Sequence, residues 1–249
     1  MSKTTFRGVR FDQSLARRVA SGFSLVFENA EPSPAQASSS GSRLRLSKAL
    51  TRQWDTAFLH LSGASGVRNI VLVVDMSGSM SGMWETGGKE FVWGLILLAR
   101  EGVINLRVFL TGNKLAEMPI SIPFMTFLRL NPYHGKEGFR DTLQHRVIAP
   151  LLEQADCVLC WTDGQLTDGC VDAAEWRARG VHLIGATLAR PKSEAMVHAK
   201  DGTAKVMPIV DAMRTHFHSG FSNPDAVNLA TQIATYIATT EPKELRSHS

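Results

Sequence analysis

The stretch NIVLVV at Asn69–Val74 constrains this chain more than any other, because its five aliphatic residues, Ile70–Val74, run without polar alternation into Asp75 and the Ser/Gly-rich segment MSGSMSG. An unbroken Val/Ile/Leu run of this length reads as a strand buried on both faces, the kind found in parallel sheets covered by helices on each side. Asp75 then stands where a core strand emerges into solvent. From here onward strands and helices alternate. The pattern predicts a helix at about Glu85–Arg100, a strand at Val103–Leu110 and a short edge strand near Met118–Ile122. After an irregular loop through RLNPYHGKEG come a helix over Phe139–Gln154 and a strand within ADCVLCWTDG. A short helix at Cys170–Arg179 and an apolar strand at Val181–Leu188 follow, then strands near Lys205–Val210 and His216–Phe221. The last helix opens at Pro224 behind a Ser-Asn cap and runs to about Thr240. Alternation of this kind implies an α/β fold: an open, mostly parallel sheet with helices on both faces.

The segment before this body differs in character. Met1–Arg68 holds ten Lys/Arg against four Asp/Glu, a balance of +6, which leaves −2 for the rest of a chain whose net charge is +4. Phe11, Leu15, Val19 and Phe23 recur at a spacing of four, as do Leu46, Leu50, Trp54 and Phe58, so two short helices with apolar stripes are expected to dock on the main domain. Between them, residues 31–42 (EPSPAQASSSGS) read as a Pro/Ser-rich linker or mobile loop. The expected organisation is therefore a basic N-terminal extension over residues 1–66, a domain over 67–241 and a tail over 242–249.

Composition, at 44% hydrophobic and 20% charged residues, is that of an ordinary globule. No apolar run approaches the roughly 20 residues that span a bilayer, and the N-terminus lacks the apolar core of a secretory signal. Three cysteines cannot all pair, which points to a reducing compartment, and a cytoplasmic location is expected.

Two strands end in acidic loops, VLVVD at Asp75 and VLCWTDG at Asp163. In doubly wound sheets ligands bind at the carboxyl ends of strands, where strand order reverses. Asp75, Ser77 and Ser79 alternate along an extended turn, which puts their oxygens on one side. Carboxylate and hydroxyl oxygens suit a hard cation, Mg²⁺ or Mn²⁺. The run Asp75-Met76-Ser77-Gly78-Ser79 resembles the D-x-S-x-S motif of the von Willebrand factor A (VWA) domain family, and Thr162-Asp163-Gly164 resembles that family's later acidic motif. The resemblance covers about Arg68 to Thr240 and implies a Rossmann-like, doubly wound sheet. It implies a metal-ion-dependent adhesion site in which Ser77 and Ser79 ligate the ion and Asp75 and Asp163 hold it largely through water and hydrogen bonds. Where the family has a threonine from a second loop, HGKEGFRDTL places Glu137, either a ligand in its place or a surface residue; Thr142 is the other candidate.

Other motifs fail on their chemistry. SGMWETGGKE mimics a phosphate-binding P-loop, but Met83 stands where a glycine is needed and Glu90 where a Ser/Thr is needed. GSMSG has Met80 where a nucleophile elbow has serine. Cys157 and Cys160 fall within one strand, where residues three apart face opposite ways, so this C-x-x-C reads as core. Cys170 opens a helix and reads as packing. His216 and His218 are expected on one face of a strand, without Cys or acidic partners nearby, and His134 lies in the Glu137 loop. The expected function is a non-enzymatic, metal-dependent protein–protein interaction module that meets an Asp or Glu of its partner. The resemblance implies an adaptor role in an intracellular multi-protein assembly, alongside an AAA+ ATPase. The alternative is nucleic-acid binding through the basic N-terminal segment, with Phe6, Phe11 and Phe23 interleaved among its charges.

Overall fold

The computed structural model describes residues 3–6, 9–29, 36–38, 43–44, 58–60, 68–132, 135, 137–166, 171–198 and 203–239. The chain opens with an antiparallel hairpin, β1 (Lys3–Phe6) and β2 (Val9–Asp12), followed by helix α1 (Gln13–Asn29). Three short strands, β3 (Gln36–Ser38), β4 (Arg43–Leu44) and β5 (Phe58–His60), pair in the order β3-β5-β4. The body is built on β6 (Arg68–Asp75), β7 (Ile104–Thr111), β8 (Ala116–Met118), β9 (Cys157–Trp161), β10 (Leu183–Thr187) and β13 (Ser219–Ser222). These form one sheet in the order β13-β10-β9-β6-β7-β8, parallel throughout except for the antiparallel β8 at one edge. A separate hairpin, β11 (Glu194–His198) with β12 (Ala204–Pro208), follows β10. The body's α-helices of five residues or more are α2 (Lys89–Arg100), α3 (Phe124–Leu128), α4 (Phe139–Leu143), α5 (Ala149–Gln154), α6 (Ala173–Ala178), α7 (Ile209–His216) and α8 (Ala226–Thr239).

The buried strand run explains the layering. Along β6, Ile70, Leu72 and Val74 face one apolar cluster and Val71 and Val73 the other. β9 splits the same way: Cys157, Leu159 and Trp161 face the first layer, Val158 and Cys160 the second. This two-sided burial is the two-residue period of a strand covered on both faces. The two cysteines are free and buried, and burial pushes the Cys157 thiol up to about 12. They are core residues, not a metal or redox pair.

The first layer contains α1, α2 and α8, and the second contains residues of α4, α5, α6 and α7. Phe11, Val19 and Phe23, the N-terminal stripe of the sequence, lie in the first layer together with β6. The approach of α1 to α2 depends on Gly94. A Cβ there would stand 2.6 Å from Val19 Cγ1 and 2.9 Å from the Ala16 carbonyl oxygen. Two polar contacts fix the same junction: Asp12 caps α1 by accepting from the Leu15 amide, and its own amide donates to Glu90 Oε1 at 2.8 Å.

Several sequence expectations change. The helix over Phe139–Gln154 is two helices, α4 and α5, because Pro150 lies in the first turn of α5 and cannot continue a helix through the preceding residues. The edge strand ends at Met118 rather than beginning there, since Pro119 follows and cannot donate to the ladder. Ile209 and Val210 belong to α7, and the partner strand of β12, β11, is an unforeseen element. His216 closes α7 and His218 precedes β13, so the two do not share a strand face. The cap of α8 is Asp225, whose Oδ1 accepts from the Val227 and Asn228 amides, and the helix begins at Ala226 rather than Pro224. Gln36–Ser38, within the expected linker, form β3, and Phe58, expected at a helix end, opens β5. Leu46, Leu50, Trp54, His134, Cys170 and the 242–249 tail lie outside the described residues. Among the described residues no helix is long and apolar enough to cross a membrane.

Candidate metal centre

From β6 the chain runs outward to β7 and β8 on one side and returns to β9 on the other, so strand order reverses between β6 and β9. Their carboxyl ends carry Asp75 and, two residues beyond Trp161, Asp163. Parallel pairing makes this convergence unavoidable: Val74 lies beside Trp161, and Asp75 beside Thr111 at the end of β7.

Asp75 is fully buried and holds three segments together. Its Oδ1 accepts from the Ser77 amide at 2.8 Å, and its Oδ2 accepts from Thr162 Oγ1 at 3.1 Å. Thr162 Oγ1 in turn accepts from the Gly164 amide at 3.1 Å. The Ser77 and Ser79 hydroxyls lie 3.0 Å apart, with Ser77 buried and Ser79 exposed. Asp163 Oδ1 accepts from the Gln165 amide at 3.0 Å, and its carboxylate also accepts from Ser79. Burial pushes Asp75 up to about 7 against the hydrogen bonds of Ser77 and Thr162, and the Asp163 charge adds to the rise. Burial likewise raises Asp163, reinforced by the charge of Glu137.

Glu137 is buried close enough to act on Asp163, on a loop pressed against the end of β7. Its carbonyl accepts from Thr111 Oγ1 at 2.9 Å. The loop closes this tightly because the next residue is Gly138 at φ +67; a Cβ there would lie 2.8 Å from both the Gly112 oxygen and Thr111 Oγ1. Thr142, in α4, turns its hydroxyl to Thr111 Oγ1 at 2.7 Å. Asp75, Ser77, Ser79, Asp163 and Glu137 thus gather at one edge of the sheet. Thr162 and Thr111, which the sequence reading missed, tie the loops together. Their signal was positional: each ends or follows a core strand parallel to β6, at the level of Asp75.

The donor set is oxygen only, with two carboxylates raised by burial and set against each other, which is the electrostatic situation a hard divalent cation relieves. Among the described residues no three His, Cys, Asp or Glu side chains gather closely enough to hold an ion by themselves, so a cation here would have to draw on the hydroxyls as well. The P-loop-like Gly88-Lys89 offers nothing to a phosphate, because Lys89 is buried and paired with Glu85.

No protein-family model matches the chain, and no curated protein matches it in sequence. Among solved structures, the chain is similar to an aerotolerance-related membrane protein from Bacteroides fragilis, at 15% identity over 70% of this chain and 98% of that one, with a TM-score of 0.43. It is also similar to the ArnB paralog VWA2 from Sulfolobus acidocaldarius, at 14% identity over 66% of this chain, with a TM-score of 0.32. The match spans 43% of that second protein. At these scores neither likeness decides family or function.

Proposed function

We propose that this chain is a non-enzymatic protein-interaction module of the VWA type, whose partner is recognised through Mg²⁺ or Mn²⁺ at the Asp75 edge. The observation that carries this reading is the buried Asp75 set against Asp163 at the point of strand reversal, with the Ser77 and Ser79 hydroxyls alongside. Ser77 and Ser79 would hold the ion directly, Asp75 and Asp163 through hydrogen-bonded water, and Glu137 would take the place of the family threonine. Bound there, the ion supplies a coordination position for an Asp or Glu carboxylate of the partner. The chain's own residues do the rest. Asp75 fixes the Ser77 backbone and the Thr162 side chain, and Asp163 orients Ser79. The resemblance to VWA proteins supports a partner within a multi-subunit assembly, with an acidic segment of an AAA+ ATPase as the proposed class.

The test is retention of such a partner by the immobilised full chain in Mg²⁺ and in chelator, beside a Ser77→Ala/Ser79→Ala double variant. Retention in Mg²⁺ alone, lost in chelator and in the variant, is expected. Equal retention in all three arms removes metal-mediated recognition.

A further inference from the structure

The opposite, amino-terminal edge of the sheet carries a groove of about 500 Å³ between α6 and the end of α7. Alanines of α6 and the buried Phe217 line it, and Arg177, Arg214 and His218 supply its polar groups. A volume of this order is in the range of small-ligand sites.

The three polar groups are all donors. His218 Nδ1 accepts from the Leu183 amide at 2.8 Å, so a neutral ring carries its proton on Nε2. Burial and the Arg177 charge hold the ring in that neutral form. The Nε2 atom is buried and makes no hydrogen bond within good geometry, although the Ala173 carbonyl is near it. Arg177 is exposed and makes no ion pair among the described residues. Arg214 has Asp211 for a neighbour, 3.9 Å away, with both side chains more than half exposed; that is beyond hydrogen-bonding distance and worth little in water. The Asp172 carboxylate is already engaged by the Ala174 and Glu175 amides at the start of α6. Two guanidinium forks therefore line one groove without an acceptor to match them, while the buried His218 N–H faces the Ala173 carbonyl.

We infer that this groove binds the phosphate group of a small-molecule phosphomonoester, with Arg177 and Arg214 donating to its oxygens, His218 lining the groove beside them, and Phe217 and the α6 alanines receiving its organic part. A phosphomonoester near pH 7 brings about two negative charges and three acceptor oxygens to the two guanidinium forks, whereas a carboxylate brings one charge and two oxygens. The remaining volume lies against apolar side chains, which calls for a short carbon body rather than a bare ion. The site is independent of the metal reading, since no residue is shared between the two edges.

The test is calorimetry with the full chain at constant ionic strength, using phenyl phosphate, inorganic phosphate, benzoate and a phosphoserine peptide as probes, with the His218 ring N–H followed by NMR. Saturable binding of phenyl phosphate, tighter than inorganic phosphate, is expected, together with a shift of the His218 Nε2 resonance. Arg177→Gln and Arg214→Gln should each weaken it by about tenfold or more, and both positions are exposed enough to leave folding intact, as an unchanged melting temperature would verify. Benzoate binding as tightly as phenyl phosphate, or either variant binding like the parent, overturns the assignment. Tenfold tighter binding of the phosphoserine peptide overturns the small-molecule source in favour of a modified protein.

Discussion

The two edges of the central sheet have the same core between them and opposite chemistry. At the carboxyl edge Asp75, Asp163 and Glu137 bring acceptors together; burial raises the proton affinity of Asp75 and Asp163, and the charges of Asp163 on Asp75 and of Glu137 on Asp163 add to it. At the amino edge Arg177, Arg214 and His218 bring donors together, and burial lowers the proton affinity of the histidines. The difference follows from chain direction. Because β6, β7, β9, β10 and β13 are parallel, every residue just past a strand falls on one edge, and every residue just before a strand falls on the other. A short polar residue one step beyond an aliphatic run is thereby committed to a shared site. A helix end preceding the next strand is committed to the opposite one.

Acid should break this symmetry with the largest effect. His216, at the amino edge, is fully buried with neither ring nitrogen hydrogen-bonded, and burial holds its pKa down at about 4 from an ordinary 6.5. The unfolded chain therefore takes up a proton that the folded chain refuses between these values. Stability is full above about pH 6.5, falls as pH drops toward about 4, and levels off below, with a total loss of about 3 kcal/mol from this residue. His182, also held down to about 4 beneath Tyr236, adds in the same direction. Urea unfolding across that range should show the slope, and His216→Leu should flatten it. An unchanged slope in that variant would place the acid sensitivity elsewhere.

The carboxyl edge was the more legible of the two from sequence, and the reason is local. Asp75 and Asp163 each follow a continuous apolar run, so both the strand and its end can be read without tertiary information, and the doubly wound order then brings them together. Glu137 was legible only as an alternative, because a loop's reach depends on Gly138 and Thr111, which lie 27 residues apart along the chain and meet only in the fold. The amino edge was not legible. HFHSGF alternates well enough to look like a strand, yet its first residue ends α7, since Ala212, Met213 and His216 turn one helical face inward. Reading that segment as a strand put His216 and His218 on one face and concealed the groove. The break at Pro150 was visible in the sequence and outweighed the apolar period across Phe139–Gln154.

A single substitution should separate the edges. Asp75→Asn keeps the shape at the end of β6 and removes the charge that orients a cation, so Mg²⁺ affinity should fall by about 10–100-fold, the usual range for a residue that holds a metal through its outer shell. Phenyl phosphate binding at the amino edge should stay unchanged in the same protein. Calorimetry with each ligand reads both numbers. Equal Mg²⁺ binding by parent and variant would move the cation away from Asp75, while a parallel loss of both ligands would show that the edges are coupled through the sheet.

The smallest effect sharpens the comparison most, because it concerns a residue that no motif marks as a ligand on its own. Thr162 Oγ1 donates to Asp75 Oδ2 and accepts from the Gly164 amide, both at 3.1 Å, and all three groups are buried. Thr162→Val keeps the branched shape and removes the hydroxyl. Asp75 is then left with Ser77, through its amide and its hydroxyl, so its proton affinity rises further, while the Gly164 amide loses its acceptor. A buried group left unsatisfied costs about 1–3 kcal/mol, partly offset here because a protonated Asp75 can donate a hydrogen bond of its own. The net loss of stability should be about 1 kcal/mol. Mg²⁺ affinity should fall only a few-fold at about pH 7 and recover at about pH 8, where the carboxylate ionises again. That recovery is the deciding measurement. Weakened binding that stays weak as pH rises would mean that Thr162 positions the loop rather than tuning the charge, and unchanged stability would mean that water takes over both hydrogen bonds.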